Sequence, residues 1–520
     1  MDRENLMLAR TYSAAINGVN AYTVEIEVNA TGQGENTTVS VVGLPDAAVR
    51  ESRDRVRSAL LSCGYTHPFG NTVVGLAPAD IRKEGAAFDL PIALCMIATT
   101  GKLDREKLSR TMIVGELALN GGVRSVKGVL PIAVHVRNKK GIDSIIVPVQ
   151  NAAEAAVAAG KIPVYPVENL IDAVNFFSGS DSREPYRETI SEAVSISKNR
   201  SEPDFAEVKG QGCAKRALEI AAAGGHNVLM IGPPGTGKSM LAKRVPDILP
   251  PMHIDEALDV SKIHSILGLL PSDTPILTQR PFRSPHHTIS DAGLFGGQSM
   301  PTPGELSLAH NGVLFLDELP EFKRNVLEVM RQPLENGSVT VSRASGSFVF
   351  PARIMLIAAM NPCPCGHYGN HQRVCRCSPP QIQRYRSKIS GPLLDRIDIH
   401  VELLPLNDDE MIKAPTGESS CEVRKRVTNA RKIQQERYDG AGIYCNSQMG
   451  QSHLQDHCSL DKESQSYLRH SIKELQLSAR AYDKILRVAR TIADLDSSES
   501  VKQDYIFEAV QYRSLDKRLW

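Results

Sequence analysis

The 520-residue chain has no apolar run near the ~20 residues a membrane-crossing helix needs, so a helical membrane protein is not expected. It also lacks net charge, since 60 Lys and Arg against 59 Asp and Glu leave +1. That excludes a polycation, and any surface for nucleic acid must be a local patch. No internal repeat of fixed period is visible, which argues against a repeat architecture. The opening residues MDRENLMLAR carry acids and no apolar h-region, so no secretory signal is expected and the cytoplasm is the default compartment.

What is present is ordinary globular composition, 42% hydrophobic and 23% charged, in a chain too long for one core. At roughly 150 residues per domain, three or four units are expected. Residues 1–178 read as an α/β domain, with alternation in Tyr22–Val28 and Thr37–Val42 and helical spacing over Ala47–Cys63 before Gly64. Residues 179–203 turn polar and read as a linker. Residues 204–404 alternate strand-like and helix-like segments, the pattern of a mostly parallel sheet. Residues 405–520 are largely helical, most clearly in Ser478–Leu495.

The strand Asn227–Ile231 runs into Gly232-Pro233-Pro234-Gly235-Thr236-Gly237-Lys238-Ser239, a phosphate-binding loop between strand and helix. Its glycines let backbone N–H groups turn inward onto phosphates. Lys238 is expected to reach the β- and γ-phosphates of ATP, and Ser239 to ligate Mg²⁺. Downstream, Val313-Leu-Phe-Leu-Asp317-Glu318 reads as a buried strand ending in two acids. Asp317 would hold the Mg²⁺ shell and Glu318 would activate the attacking water. A third strand, Ile354–Ala359, ends at Asn361, which is suited to sensing the γ-phosphate; the alternative is a strand-end turn before Pro362.

Arg396, between Asp395 and Asp398, is either a surface ion pair or a finger given to the next subunit's nucleotide, an interaction worth about 10³–10⁵ in rate. Arg480 opens a C-terminal helix and can lie over the phosphates of its own subunit, with Arg487 and Arg490 as competitors.

Ten cysteines divide into six scattered and four clustered, Cys363, Cys365, Cys375 and Cys377. In a reducing compartment such a cluster points to metal, here structural Zn²⁺, with His367 or His371 as substitute ligands and free thiols as the alternative. The surrounding insert 361–394 contains no acid. Arg373, Arg376, Arg384, Arg386 and Lys388 supply its charge, and Tyr368 and Tyr385 are interleaved. Charge for phosphates and rings for stacking suit single-stranded DNA; the alternative is a solvated loop. His286 and His287 read as structural or pore-loop residues, since adjacent histidines make poor metal pairs.

Gly43-Leu-Pro-Asp46, Leu76-Ala-Pro-Ala-Asp80, Phe88-Asp-Leu-Pro91, Val208-Lys-Gly-Gln211, Phe282-Arg-Ser-Pro-His-His287 and Asn361-Pro-Cys-Pro-Cys-Gly366 carry a further signal. In this order they resemble the magnesium-chelatase-like branch of AAA+ ATPases, and within it the ComM/YifB family, over nearly the whole chain. The resemblance implies an α/β P-loop AAA+ core over 204–404, a helical lid over 405–520, and Walker, sensor and finger roles for the residues above. It places Gln211 near the adenine. It implies a homo-hexameric ring that acts as an ATP-driven helicase on single-stranded or branched DNA, extending branch migration during natural transformation, with a recombinase as a candidate partner and no membrane. In related ATPases a hairpin like Gly337–Phe350 projects into the pore, which makes Arg343 a candidate DNA contact, an ordinary surface hairpin being the alternative.

Residues 1–178 resemble the Lon-protease domain, but Ala87 stands where its serine is expected and Leu130 near its lysine, with Ser125 and Lys127 close by. A non-catalytic module for assembly or DNA binding is expected, through Arg50, Arg53, Arg55, Arg57, Arg82, Lys83 and Lys102. The other readings are a chelatase motor acting on a protein partner, a non-motor adaptor, and an ATP-dependent protease.

Overall fold

The computed structural model describes residues 8–31, 38–83, 85–180, 183–188, 204–271, 274–297, 301–343, 346–370, 373–405, 417–475 and 477–516. The chain forms two compact units: Met1–Asn199 with Ile254–Thr278, and Arg200–His253 with Gln279–Trp520.

The first unit is built on a mixed sheet of β1 (Leu8–Asn17), β2 (Asn20–Ala30), β3 (Thr38–Val42), β4 (Asn71–Ala77), β5 (Thr111–Ile113), β6 (Ser144–Pro148) and β7 (Val164–Val167), in the order β3-β4-β2-β1-β5-β6-β7. β1, β2 and β4 pair antiparallel, and the other neighbours are parallel. β2 alternates as its sequence does, with Val24, Ile26 and Val28 fully buried. The helix Asp89–Thr99 is buried on every face, which fits the apolar run Leu90–Ala98 between its two polar ends. The helix Ala47–Ser62 is capped by Asp46, which accepts from Val49 N at 2.7 Å, and the chain then leaves through Gly64 at φ 78°.

Residues 254–278 lie within the span that the sequence reading gives to the ATPase core, yet they cluster with the first unit. The helix Ile254–Leu267 packs on the helix Val129–Arg137. Ser265 Oγ donates to the buried Glu154 carboxylate at 2.8 Å. Gly128 N donates to Ser265 O at 3.1 Å. Most of the linker expected at 179–203 lies outside the described residues.

The second unit has an all-parallel sheet of β8 (Val228–Ile231), β9 (Phe282–Arg283), β10 (Val313–Leu316), β13 (Met355–Met360) and β14 (Ile399–Glu402), after the intervening hairpin β11 (Ser338–Arg343) and β12 (Gly346–Pro351). The sheet order is β9-β10-β13-β8-β14. β8, β10 and β13 are buried at every residue, as unbroken apolar strands must be when both faces are covered. The C-terminal region is helical, with Ser420–Arg437, Lys462–Leu475, Ala479–Leu495 and Gln503–Gln511 as its main helices. Among the described residues no helix is long and apolar enough to cross a membrane.

Candidate functional site

The carboxyl ends of β8, β10 and β13 meet at one edge of the parallel sheet, where such sheets bind ligands. β8 continues into the loop 232–237. Gly232 N donates to Met360 O at 3.2 Å, extending the ladder by one bond. A Cβ at Gly232 would lie 2.5 Å from the Leu403 carbonyl oxygen, so the close passage of two backbones requires glycine. Gly237, at φ 88°, turns the chain into the helix Lys238–Ile248, whose N-terminal N–H groups face the loop.

Lys238 is 8% exposed and its ammonium is aimed back over the loop. Nζ donates to Gly232 O at 2.6 Å, Pro233 O at 2.8 Å and Asn361 Oδ1 at 3.3 Å. Burial lowers its pKa against the opposing pull of Asp317. Ser239 Oγ donates to Asp317 Oδ2 at 2.7 Å, so the hydroxyl and carboxylate expected to share a cation already touch. Asn361, at the end of β13, thus stands beside Lys238. Thr236 closes the loop by donating to Pro233 O at 2.9 Å.

Glu318 follows Asp317 in the left-handed region, φ 52°, and its N–H donates to Asp317 Oδ1 at 2.9 Å. Its carboxylate is exposed and lies 3.4 Å from His287 Nδ1. His287 in turn meets the His286 ring, tilted by 33° at 4.1 Å between centroids. This contact with Glu318 is invisible in the sequence; its only trace there is the Pro-bounded histidine pair after β9. Gln211, also left-handed at φ 57°, donates from Nε2 to Leu404 O at 2.8 Å.

Arg396 pairs with neither neighbouring aspartate. Its guanidinium binds the Glu335 carboxylate and donates to Pro392 O at 2.9 Å. Of the three arginines on the helix Ala479–Leu495, Arg480 is exposed in the first turn. Arg490 is 2% exposed and held by Asp494 at 2.9 and 3.0 Å and by Glu499 O at 2.7 Å, which removes it as a competitor for phosphate.

The four clustered cysteines converge, with all four Sγ within 4.8 Å of one another. Cys363, Cys365 and Cys375 are separated by 3.4, 3.6 and 3.7 Å. Tetrahedral zinc at about 2.3 Å from each sulfur needs sulfur–sulfur edges of about 3.8 Å, so this donor set fits zinc. Backbone N–H groups of Arg376 and His367 bring the Cys365 thiol down to about 6. The N–H of Cys377 favours the Cys375 thiolate, but desolvation and neighbouring sulfurs push that thiol up to about 12. His367 is not in the cluster, and His371 lies outside the described residues.

The basic segment is less uniform than its composition. Arg373, Arg376 and Arg384 are exposed. Arg386 donates to Pro362 O at 3.2 Å and lies 5.2 Å over the Tyr368 ring, and Lys388 meets both oxygens of Glu321 at 3.2 Å. Tyr385 is buried, so its ring is unavailable for stacking, whereas Tyr368 is exposed. Arg343 is exposed at the end of β11, opposite Gly346. In the first unit, Arg55 is committed to the buried Asp89 at 2.7 and 3.1 Å, Arg53 to Asp54, and Lys83 is buried against Ile81 O.

Comparison with known proteins gives a consistent result. Residues 204–411 match the family described as magnesium chelatase, subunit ChlI. Residues 25–151 match subunit ChlI of Mg-chelatase, and residues 417–513 match magnesium chelatase, subunit ChlI C-terminal. The competence protein ComM of Haemophilus influenzae is 42% identical over 518 residues, 99% of both chains. The uncharacterized protein YifB of Escherichia coli is 41% identical over 517 residues, 99% of this chain and 98% of that one. An uncharacterized protein of Mycobacterium tuberculosis is 39% identical over 517 residues, 99% of this chain and all of the other.

Proposed function

The chain belongs to the ComM/YifB family of magnesium-chelatase-like proteins, and we propose that it is an ATP-driven, ring-forming DNA motor that moves branches while single-stranded DNA is integrated. The observation that carries the ATPase reading is the convergence of Lys238, Asn361, Ser239 and Asp317 within hydrogen-bond reach on one sheet edge. Similarity to a competence protein supports the DNA reading, and so do the exposed arginines around the cysteine cluster.

In this scheme Lys238 exchanges the carbonyls of Gly232 and Pro233 for the β- and γ-phosphate oxygens of ATP, with loop and helix N–H groups around them. Ser239 and Asp317 would hold Mg²⁺, which would supply charge neutralisation. Glu318 accepts the proton of the attacking water, and Asn361 holds that water or the γ-phosphate in line. Arg396, offered to a neighbouring subunit, and Arg480, from the helical region of its own, stabilise the charge that develops on the transferred group. Arg396 must first leave Glu335, so the finger is completed by assembly. Four thiolates would hold Zn²⁺ and fix a loop too polar to fold on an apolar core of its own. In the first unit Leu130 is fully buried and Ala87 has no reactive group, which supports a non-catalytic role for a Lon-like module.

The test is strand displacement on a three-stranded branched substrate with ATP. The scheme expects branch movement by the native protein and none by Glu318→Gln; equal movement by both contradicts it.

A further inference from the structure

Hydrolysis leaves unused a set of buried polar groups between the helix Ala479–Leu495 and the segment that carries Arg396. Asp398 and Lys484 are 9% and 7% exposed. Lys484 Nζ stands 2.9 Å from Asp398 Oδ1, and His226 Nδ1 3.4 Å from Oδ2, which also accepts from Asn227 N at 3.2 Å. The other His226 nitrogen is 2.8 Å from Thr491 Oγ1. Lys484 and Thr491 lie two turns apart on the same helix, so that helix is fastened at two buried points. Although burial opposes it, Lys484 and His226 keep Asp398 far below the ordinary carboxylate range.

The opposite side of the cluster reaches the site. Asn227 Nδ2 donates to Arg396 O at 3.0 Å, and Asn227 Oδ1 accepts from Leu356 N of β13 at 2.8 Å. Arg480 lies one turn before Lys484, on the same face of the helix. A displacement of this helix cannot be absorbed by slack at Asp398, because separating the pair would strand a buried charge. The pair moves as a unit or not at all.

We propose that the Lys484–Asp398 pair, with His226 and Asn227, is the linkage through which the position of the helix bearing Arg480 sets the position of Arg396. Lys484 is then a positioning residue for the arginine offered to the next subunit. One subunit's grip on its own nucleotide is passed to its neighbour's hydrolysis. This rests on the ring-forming ATPase reading above.

The experiment is a mutant cycle on the full chain. Lys484→Met with Asp398→Asn removes both charges at nearly constant shape. ATP turnover should fall about tenfold with ATP affinity changed less than about twofold, because the linkage acts after binding. In an Arg396→Ala background the same two substitutions should change the residual turnover by less than about twofold, because there is no finger left to position. A fall of equal size in both backgrounds, or no fall beside native Arg396, overturns the proposal. Should the paired variant fail to fold, Thr491→Val is read the same way: a fall of about threefold confined to the Arg396 background supports the linkage, and an equal or absent fall overturns it. An Arg396→Ala protein with native turnover would instead defeat the ring reading itself, and the linkage with it, before Lys484 is touched.

Discussion

Replacing Cys375 by Ser tests whether the cysteine cluster is a metal centre or a set of free thiols. Cys375 Sγ lies 3.6 Å from Cys365 Sγ and 3.7 Å from Cys363 Sγ and accepts from Cys377 N at 3.4 Å, so it is inside the cluster. A serine hydroxyl keeps the shape but removes one thiolate of four. Second-shell changes alone cost 10–100-fold in metal affinity, so loss of a direct ligand should cost at least about 100-fold, or about 2.8 kcal/mol. The assay is zinc content of the purified protein by elemental analysis, followed by transfer to a chromophoric chelator. The native chain should hold about one zinc per chain, as a four-thiolate site does, and the variant far less under the same chelator. The sign of the pH dependence follows from the thiols. Cys375 sits up at about 12 and Cys377 is also raised, so their protons must leave before metal binds. Lowering the pH restores those protons and should speed release to the chelator. Native protein with no zinc after purification in zinc-replete medium, and no zinc uptake on titration, would mean that the four sulfurs are free thiols.

Four further outcomes are expected. Lys238→Ala removes the charged donor meant for phosphate and should weaken ATP binding by about 10–150-fold, measured by calorimetry, while Glu318→Gln should bind normally and lose about 10²–10⁴ in turnover. Arg373, Arg376 and Arg384 are exposed arginines of the cysteine-rich segment, whereas the exposed Lys388 is paired with Glu321. Changing all three to Ala should weaken single-strand binding and reduce the log–log salt slope by about 2 units in fluorescence anisotropy, at about 0.7 per phosphate contact. Arg55→Ala leaves the fully buried Asp89 without its cation and should destabilise the first unit by about 3 kcal/mol, seen as a lower thermal midpoint with nucleotide binding by the second unit unchanged.

Local chemistry was readable in the sequence wherever it is written in consecutive residues. The loop 232–239 announces itself because glycines, lysine and serine at fixed offsets follow an apolar strand. Asp46 as a helix cap and Gly64 as its exit are equally local, and the structure has both. Long-range partners leave no periodic signal. Adjacency offers Asp395 and Asp398 as partners for Arg396, yet its carboxylate partner is Glu335, 61 residues away. Asp398 instead faces Lys484. Tyr385 looked like a stacking ring because basic residues surround it, but the helix Pro379–Arg386 turns its ring inward and leaves Arg384 outside. Alternating segments place residues 254–278 in the span 204–404, while Ser265 and its helix bury themselves against Glu154 and the helix Val129–Arg137. In each case tertiary burial, not local pattern, decides the outcome.

In the proposed scheme, ATP hydrolysis at the 232–239 loop is coupled to DNA. The most direct test of that coupling is ATP turnover by the purified full-length protein with and without single-stranded DNA across a salt series. Strong stimulation that fades as salt rises is expected, because arginines bound to phosphates displace counterions from the DNA. Turnover that is active yet indifferent to DNA at every salt concentration would contradict it.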